Sequence, residues 1–228
     1  AGVTRPGQRC YKNGVGEMVD VKLYQGDCLE IMRGMDDRSV DAIITDPQYG
    51  IDHIHAGGRS QDSGWNTDLY HGEWDKERPS GEYFTEMLRI GKLVIVWGGN
   101  YFTDFLPPSM RWLIWDKGQR NFSLADFEMA WTNQNKASRI YNYSRSKALQ
   151  DGKVHPTQKP ISLMKWCMTV CDIPVGATVL DPFAGSGTTG VACIQTGRNA
   201  ILIEKDPEYY QIMKRRIEQA QAQPLLFA

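Results

Sequence analysis

The chain has 228 residues and 25.9 kDa, with 41% hydrophobic and 23% charged residues, enough for one compact domain that buries its core without disulfides or metal. Its 26 Lys and Arg against 27 Asp and Glu leave a formal charge of −1, which excludes the strongly basic signature of many nucleic-acid binders but not a local basic face. No run approaches the roughly 20 apolar residues that span a bilayer, and Ala1–Asp20 lacks the apolar core of a secretion signal. Among five cysteines the close pair, Cys167 and Cys171, has helical spacing, so buried thiols in a reducing cytoplasm are expected rather than bridges.

In chain order, short apolar β-branched runs predict buried strands at Val21–Tyr24, Ala42–Thr45, Leu93–Trp97, Trp112–Trp115, Thr178–Leu180 and Ala200–Ile203. Helical patterns lie between them at Tyr83–Ile90, Tyr101–Leu106, Ile161–Cys171, Thr188–Thr196 and Pro207–Gln221. This alternation predicts an α/β fold with a mostly parallel sheet, whose ligands bind beyond the carboxyl ends of the strands. Two stretches break the rhythm. Gly50–Ser80 is polar, and its His53, His55 and His71 read as loop residues, so no metal is expected. Gly118–Val154 is basic with interleaved Phe122, Phe127, Trp131, Tyr141 and Tyr143, and nine Lys/Arg stand against four Asp/Glu from Arg111 to Pro160.

After the strand Thr178–Leu180 comes Asp181-Pro182-Phe183-Ala184-Gly185-Ser186-Gly187-Thr188-Thr189-Gly190 and then a helix. Gly185, Gly187 and Gly190 give G-x-G-x-x-G between strand and helix, and Glu204 ends the next strand, where an acid accepts ribose hydroxyls. Asp181 selects the kind of nucleotide. A carboxylate just ahead of the glycines repels a pyrophosphate and welcomes a cation, which favours S-adenosylmethionine, with its sulfonium and amino groups, over NAD.

The strand Ala42–Thr45 ends in Asp46-Pro47-Gln48-Tyr49-Gly50. The exocyclic amine of adenine is a poor nucleophile because its lone pair is delocalised into the ring. Two fixed acceptors can localise that pair: the Asp46 carboxylate can take one N–H and the Pro47 carbonyl, held by proline's locked φ, the other. Tyr49 offers a flat face for an extruded base.

Together, Asp46-Pro47-Gln48-Tyr49 and Phe183-Ala184-Gly185-Ser186-Gly187 resemble the D-P-P-Y and F-x-G-x-G signatures of the DNA amino-methyltransferases. With the catalytic element first, the order resembles the permuted β-class, mostly bacterial and phage N6-adenine methyltransferases. Gly26-Asp27-Cys28-Leu29-Glu30 and His155-Pro156-Thr157-Gln158-Lys159-Pro160 agree with it, and the resemblance covers about residues 25–205. It implies a Rossmann-like S-adenosylmethionine-dependent methyltransferase fold in a single domain. Residues 20–117 would form its catalytic half, 118–154 a small target-recognition insert and 155–222 its cofactor-binding half, ahead of a tail at 223–228. It implies that Asp27 and Cys28 border the cofactor adenine, that Lys159 with His155 and Thr157 approaches the methionine carboxylate, and that Phe183–Thr188 line the rest of the cofactor site. One departure stands out: Gln48 replaces the family's second proline, which leaves the chemistry in place and the loop less rigid.

The insert combines cations with aromatics as a duplex-DNA surface does. Arg120, Lys136, Arg139, Arg145 and Lys147 are expected on phosphates, and Asn133, Gln134 or Asn135 on base edges. Its small size suggests a short site or help from a second subunit in a homodimer. The tail Gln223-Pro224-Leu225-Leu226-Phe227 resembles the Q-x-x-L-F peptides that dock on the sliding clamp, or packs back on its own domain. N6-adenine methylation of DNA, as in restriction-modification, leads this reading, and aspartate rather than serine at position 46 favours it over cytosine N4. The open alternatives are a cytosine-N4 enzyme, a nucleic-acid-binding subunit that holds cofactor without transferring methyl, and an NAD oxidoreductase.

Overall fold

The computed structural model describes residues 9–12, 18–50, 78–120, 125–144, 146–147 and 158–222. His53, His55, His71, Arg145, His155, Thr157 and the tail 223–228 lie outside the described residues. The strands are β1 (Arg9–Lys12), β2 (Met18–Gln25), β3 (Val40–Thr45), β4 (Gly91–Trp97), β5 (Trp112–Asp116), β6 (Phe127–Thr132), β7 (Arg139–Asn142), β8 (Thr178–Asp181) and β9 (Asn199–Glu204). The helices are α1 (Cys28–Arg33), α2 (Gly81–Ile90), α3 (Ile161–Val170), α4 (Thr188–Gln195) and α5 (Pro207–Ala222).

All the strands join one sheet in the order β1-β2-β9-β8-β3-β4-β6-β5-β7. Its middle, from β2 to β4, is parallel throughout, and β6 runs antiparallel to both β4 and β5. Ile43, Ile44, Val94, Ile95 and Val96 are fully buried because helices cover both faces of the sheet, which is why these strands read as continuous apolar runs. On one face Leu163, Met164, Cys167 and Met168 of α3 pack with Cys193 of α4 and with Met213 and Ile217 of α5. On the other, Phe84, Met87 and Ile90 of α2 pack with Cys28 and Met32 of α1 and with Phe102.

From β3 the chain builds outward to β4, and from β8 it builds the opposite way to β9. The order therefore reverses between adjacent β3 and β8, and a crevice at such a reversal is where open α/β sheets bind ligands. Residues 20–117 and 158–222 share the sheet rather than dividing it, since Gln25 of β2 pairs with Glu204 of β9.

β1 and α1 carry no sequence expectation, and the structure departs from the expected pattern in two further places. Tyr101–Leu106 is not a helix: Gly99–Tyr101 forms one 3-10 turn, and Leu106 N–H returns to the Phe102 carbonyl at 2.9 Å just ahead of Pro107 and Pro108. The apolar pair Phe102 and Leu106 is real, but the prolines stop a second turn. Within 118–154 the described segment Phe127–Thr132 joins the sheet: β6 fills the gap between β4 and β5 and carries Ala130, Trp131 and Thr132 into the core.

Trp131 is 2% exposed and donates its indole N–H to the Pro107 carbonyl at 2.8 Å. Trp131→Ala is expected to lower the unfolding free energy by about 3–5 kcal/mol, read by urea denaturation. An unchanged midpoint would remove β6 from the core.

Candidate active site

The glycine loop leaves β8 at Asp181, whose carboxylate is 5% exposed. One oxygen accepts the Thr45 hydroxyl at 2.9 Å and the Phe183 N–H at 3.2 Å, and the other accepts the Thr189 hydroxyl at 2.7 Å. Burial pushes this carboxyl up to about 7 despite those donors. The residue expected to face a cofactor cation thus also ties β3, the loop and α4 together. At Gly185, with φ +50°, an added Cβ would meet nothing within 4 Å, so the loop turns bare backbone toward open space. Gly190 has the opposite reason: a Cβ there would lie 2.4 Å from Leu202 and 2.7 Å from Ile217, so glycine lets α4 lie close on β9 and α5.

Beside this loop, Glu204 accepts the Gly185 N–H and the Asp206 N–H, each at 2.8 Å, and burial pushes its carboxyl up. Asp27 caps α1 by accepting the Leu29 N–H at 2.8 Å and also meets the Tyr83 hydroxyl and the Lys205 ammonium at 3.3 Å. Cys28 is buried behind it. Asp27, Cys28, Asp181, the Phe183–Thr188 segment and Glu204 are therefore brought to one end of the sheet. The structure adds residues that sequence reasoning missed. Tyr83 lies beside Phe183 with ring centroids 5.7 Å apart. Arg216 reaches from α5 to the Ser186 carbonyl at 2.6 Å and the Ser186 hydroxyl at 2.8 Å. The one sequence signal for Arg216 is its place between the inward-facing Met213 and Ile217.

Asp46 follows β3 directly, across the switch point from the loop. Its carboxylate accepts the Tyr49 hydroxyl at 2.6 Å on one oxygen and the Lys159 ammonium at 2.5 Å on the other. Lys159, 8% exposed, also meets Glu128 at 3.0 Å and the Tyr49 hydroxyl at 3.3 Å, and Glu128 pairs with Lys117 at 2.6 Å. Burial pushes the Asp46 carboxyl up, with Lys159 opposing it, and burial together with Asp46 pushes the Tyr49 phenol well above its ordinary range. Burial works against the charge on Lys159, but Asp46 and Glu128 outweigh it and hold the group well above the usual lysine value. Glu128, which burial alone would raise, is pulled down to about 2 by Lys159 and Lys117. Lys159, expected on a methionine carboxylate, is thus found on Asp46 and Glu128, and Glu128 carried no sequence signal.

The Tyr49 ring stacks on Tyr101 with centroids 4.7 Å apart and meets the edge of Phe102 at 6.2 Å. Gly98, with φ +67°, backs the ring so closely that a Cβ would lie 2.1 Å from it. Among the described residues no group of His, Cys, Asp and Glu could hold a metal ion.

The basic residues scatter. Because β6 reverses direction, the carboxyl ends of β4 and β5 lie beside its start, and Arg120 and Lys147 follow β5 and β7 at that end. Lys136 and Arg139 fall at the opposite end, where Lys136 pairs with Asp172 at 2.7 Å. Asn133 and Gln134 are also there: the Asn133 side chain accepts the Val94 N–H at 2.9 Å and Gln134 donates to the Cys171 carbonyl at 3.1 Å. They serve the fold rather than a base edge. Arg120 is held on Asp116 at 2.7 Å, which draws that carboxyl down to about 2.

Gly98→Ala is expected to displace Tyr49 and cut turnover at least about tenfold while the protein stays folded, since the clash is local. Wild-type turnover would show that Tyr49 need not sit there. Asp181 generates a pH dependence. The folded protein keeps its proton to about 7 against the usual 3.8, so it binds more protons than the unfolded chain between those values. Stability from this group therefore falls as pH rises from about 4 to 7 and is level above. Asp181→Asn is expected to flatten that slope in urea unfolding measured from pH 4 to 8; parallel profiles would overturn it.

A family model described as DNA methylase matches residues 96–215, more than half of the chain, in a span that holds Glu128, Lys159 and the glycine loop and begins after Tyr49. Type II methyltransferase M2.DpnII of Streptococcus pneumoniae is 28% identical over 86% of this chain and 89% of its own length. Type II methyltransferase M2.LlaDCHI of Lactococcus lactis subsp. cremoris is 26% identical over 86% of this chain and 88% of its own. The crystal structure of the M1.HpyAVI-SAM complex matches with a TM-score of 0.54 and 25% identity, covering 86% of this chain and 99% of that one. An α/β sheet with its glycine loop at the switch point, matched over that length, places the chain in the DNA methylase family.

Proposed function

We propose that this chain transfers the methyl group of S-adenosylmethionine to the N6 amine of an adenine extruded from duplex DNA. The observation that carries the reading is the 2.9 Å bond from Thr45 to Asp181, which sets the residue before Asp46 against the residue that heads the glycine loop. A methyl donor on the loop and an amine on Asp46 are thereby neighbours.

The residues present fit the cofactor. Gly185 leaves open space above its backbone, and the neighbouring rings of Phe183 and Tyr83 supply apolar surface beside it. Asp27, Asp181 and Glu204 make the surroundings acidic, which suits a sulfonium and an ammonium and disfavours a pyrophosphate. When bound, S-adenosylmethionine supplies an electrophilic methyl group. Asp46 and the Pro47 carbonyl then accept the two N–H bonds of the amine and localise its lone pair toward that group. Tyr49, held by Gly98, Tyr101 and Phe102, presents a ring for the base. Asp46, whose carboxyl burial pushes up, takes the proton that the methylated nitrogen releases.

Aspartate at position 46 supports adenine over cytosine N4, and relatives named as Type II methyltransferases support a modification enzyme of restriction-modification. Arg120 and Lys147 at the catalytic end, with Arg145 between β7 and Lys147 in sequence, support phosphate contacts there. A DNA substrate and four buried free thiols among the described residues, Cys28, Cys167, Cys171 and Cys193, support the cytoplasm. No helix of the described residues is long and apolar enough to cross a membrane. A second copy and clamp docking through Gln223–Phe227 extend the proposal on sequence grounds alone.

Asp46→Ala is expected to abolish tritiated-methyl transfer to unmethylated DNA while S-adenosylmethionine binding stays within about tenfold, because Asp46 positions the amine. Nucleoside analysis of the wild-type product is expected to give N6-methyladenine. Activity in the variant, or N4-methylcytosine in the product, would overturn the mechanism or the substrate respectively.

A further inference from the structure

Both oxygens of Asp46 are taken, one by Tyr49 at 2.6 Å and one by the Lys159 ammonium at 2.5 Å. The target amine needs one of these oxygens for an N–H, and because Tyr49 is held by Tyr101, Phe102 and Gly98, Lys159 is the partner that has to yield before the base can seat. A buried ammonium that lost its partner would be strongly disfavoured. Glu128 meets that need. It comes from β6, lies 3.0 Å from the same Nζ, and is anchored through its other oxygen by Lys117 at 2.6 Å. The groups around Asp46 are Tyr49 on its own loop, Lys159 ahead of α3, Glu128 from β6, Lys117 after β5, and Asp181 at the end of β8, reached through Thr45.

We propose that Glu128 is a positioning residue for methyl transfer: it receives Lys159 when the target amine displaces that lysine from Asp46, which keeps the ammonium paired and frees the acceptor. Lys159 retains its proton throughout and only changes partner. The inference rests on the assignment of Asp46 as acceptor of the amine.

In Glu128→Gln, Lys159 has Asp46 as its remaining charged partner. Turnover is expected to fall about ten- to hundredfold, with S-adenosylmethionine affinity within about threefold. The acid limb of the single-turnover pH profile is expected at lower pH, because Asp46 loses a neighbouring negative charge and keeps its cation. A loss of packing alone would lower the rate and leave the limb in place. Glu128→Asp restores the carboxylate and is expected to recover part of the rate. A readout without chemistry is the fluorescence of 2-aminopurine set at the adenine identified by product mapping, whose rise on binding is expected to shrink in Glu128→Gln. Should that variant melt early, Lys117→Met gives the opposite sign: Glu128 then turns wholly to Lys159, and the acid limb moves to higher pH. If Asp46→Ala is active, the underlying reading fails. If Asp46→Ala is inactive while Glu128→Gln keeps the wild-type rate, limb and fluorescence, the role of Glu128 alone is overturned.

Discussion

The hydrogen bond from the Thr45 hydroxyl to the buried Asp181 carboxylate is the contact on which the rest of the site depends. It joins β3 and β8 at their carboxyl ends, where the strand order reverses and no continuous run of chain holds the two motifs together. Asp181 accepts in addition from Phe183 and Thr189, so one carboxylate fixes the direction of β3, the start of the glycine loop and the first turn of α4. Burying it costs solvation, which its raised pKa records, and three donors offset part of that cost. Parallel pairing of β3 with β8, closed by this contact at the strand ends, brings Asp46 and Asp181, 135 residues apart in the chain, together as neighbours.

Charge in the site follows from how little water reaches it. Asp46, Lys159, Glu128 and Lys117 alternate in sign along a chain of contacts of 2.5, 3.0 and 2.6 Å. Alternation gives each charge an opposite neighbour, and removing any one would leave a neighbour buried and unpaired. The arrangement also poises Asp46. Lys159 favours its charged form, while burial and Glu128 favour its proton, and burial prevails.

The alternating strands and helices, the glycine loop and the Asp46 loop were legible because each rests on local chemistry: apolar runs, glycines at close approaches, and an acid at a strand end. The position of β6 was not. Phe127–Thr132 mixes Glu128 and Thr132 with aromatics and alternates weakly, and whether such a strand decorates a sheet or completes it depends on β4 and β5, both upstream of it in the chain. That single reversal moved Lys136, Arg139, Asn133 and Gln134 away from the catalytic end and brought Glu128 to it. Tyr83, Gly98 and Arg216 escaped notice for the same reason, since their partners are far in sequence and no spacing announces them. The helix expected at Tyr101–Leu106 failed on a local signal, the prolines that follow it.

Gln48 sits in a loop whose geometry is fixed by packing. A second proline in this loop would stiffen Tyr49 through the backbone. Here Tyr49 is stacked on Tyr101, met edge-on by Phe102, backed by Gly98 and hydrogen-bonded to Asp46, while Pro47 is buried. The ring is thus fixed from its side-chain end by contacts that do not involve residue 48. Backbone rigidity at that position would duplicate what packing already supplies, so with glutamine there the Tyr49 ring is still held against Asp46.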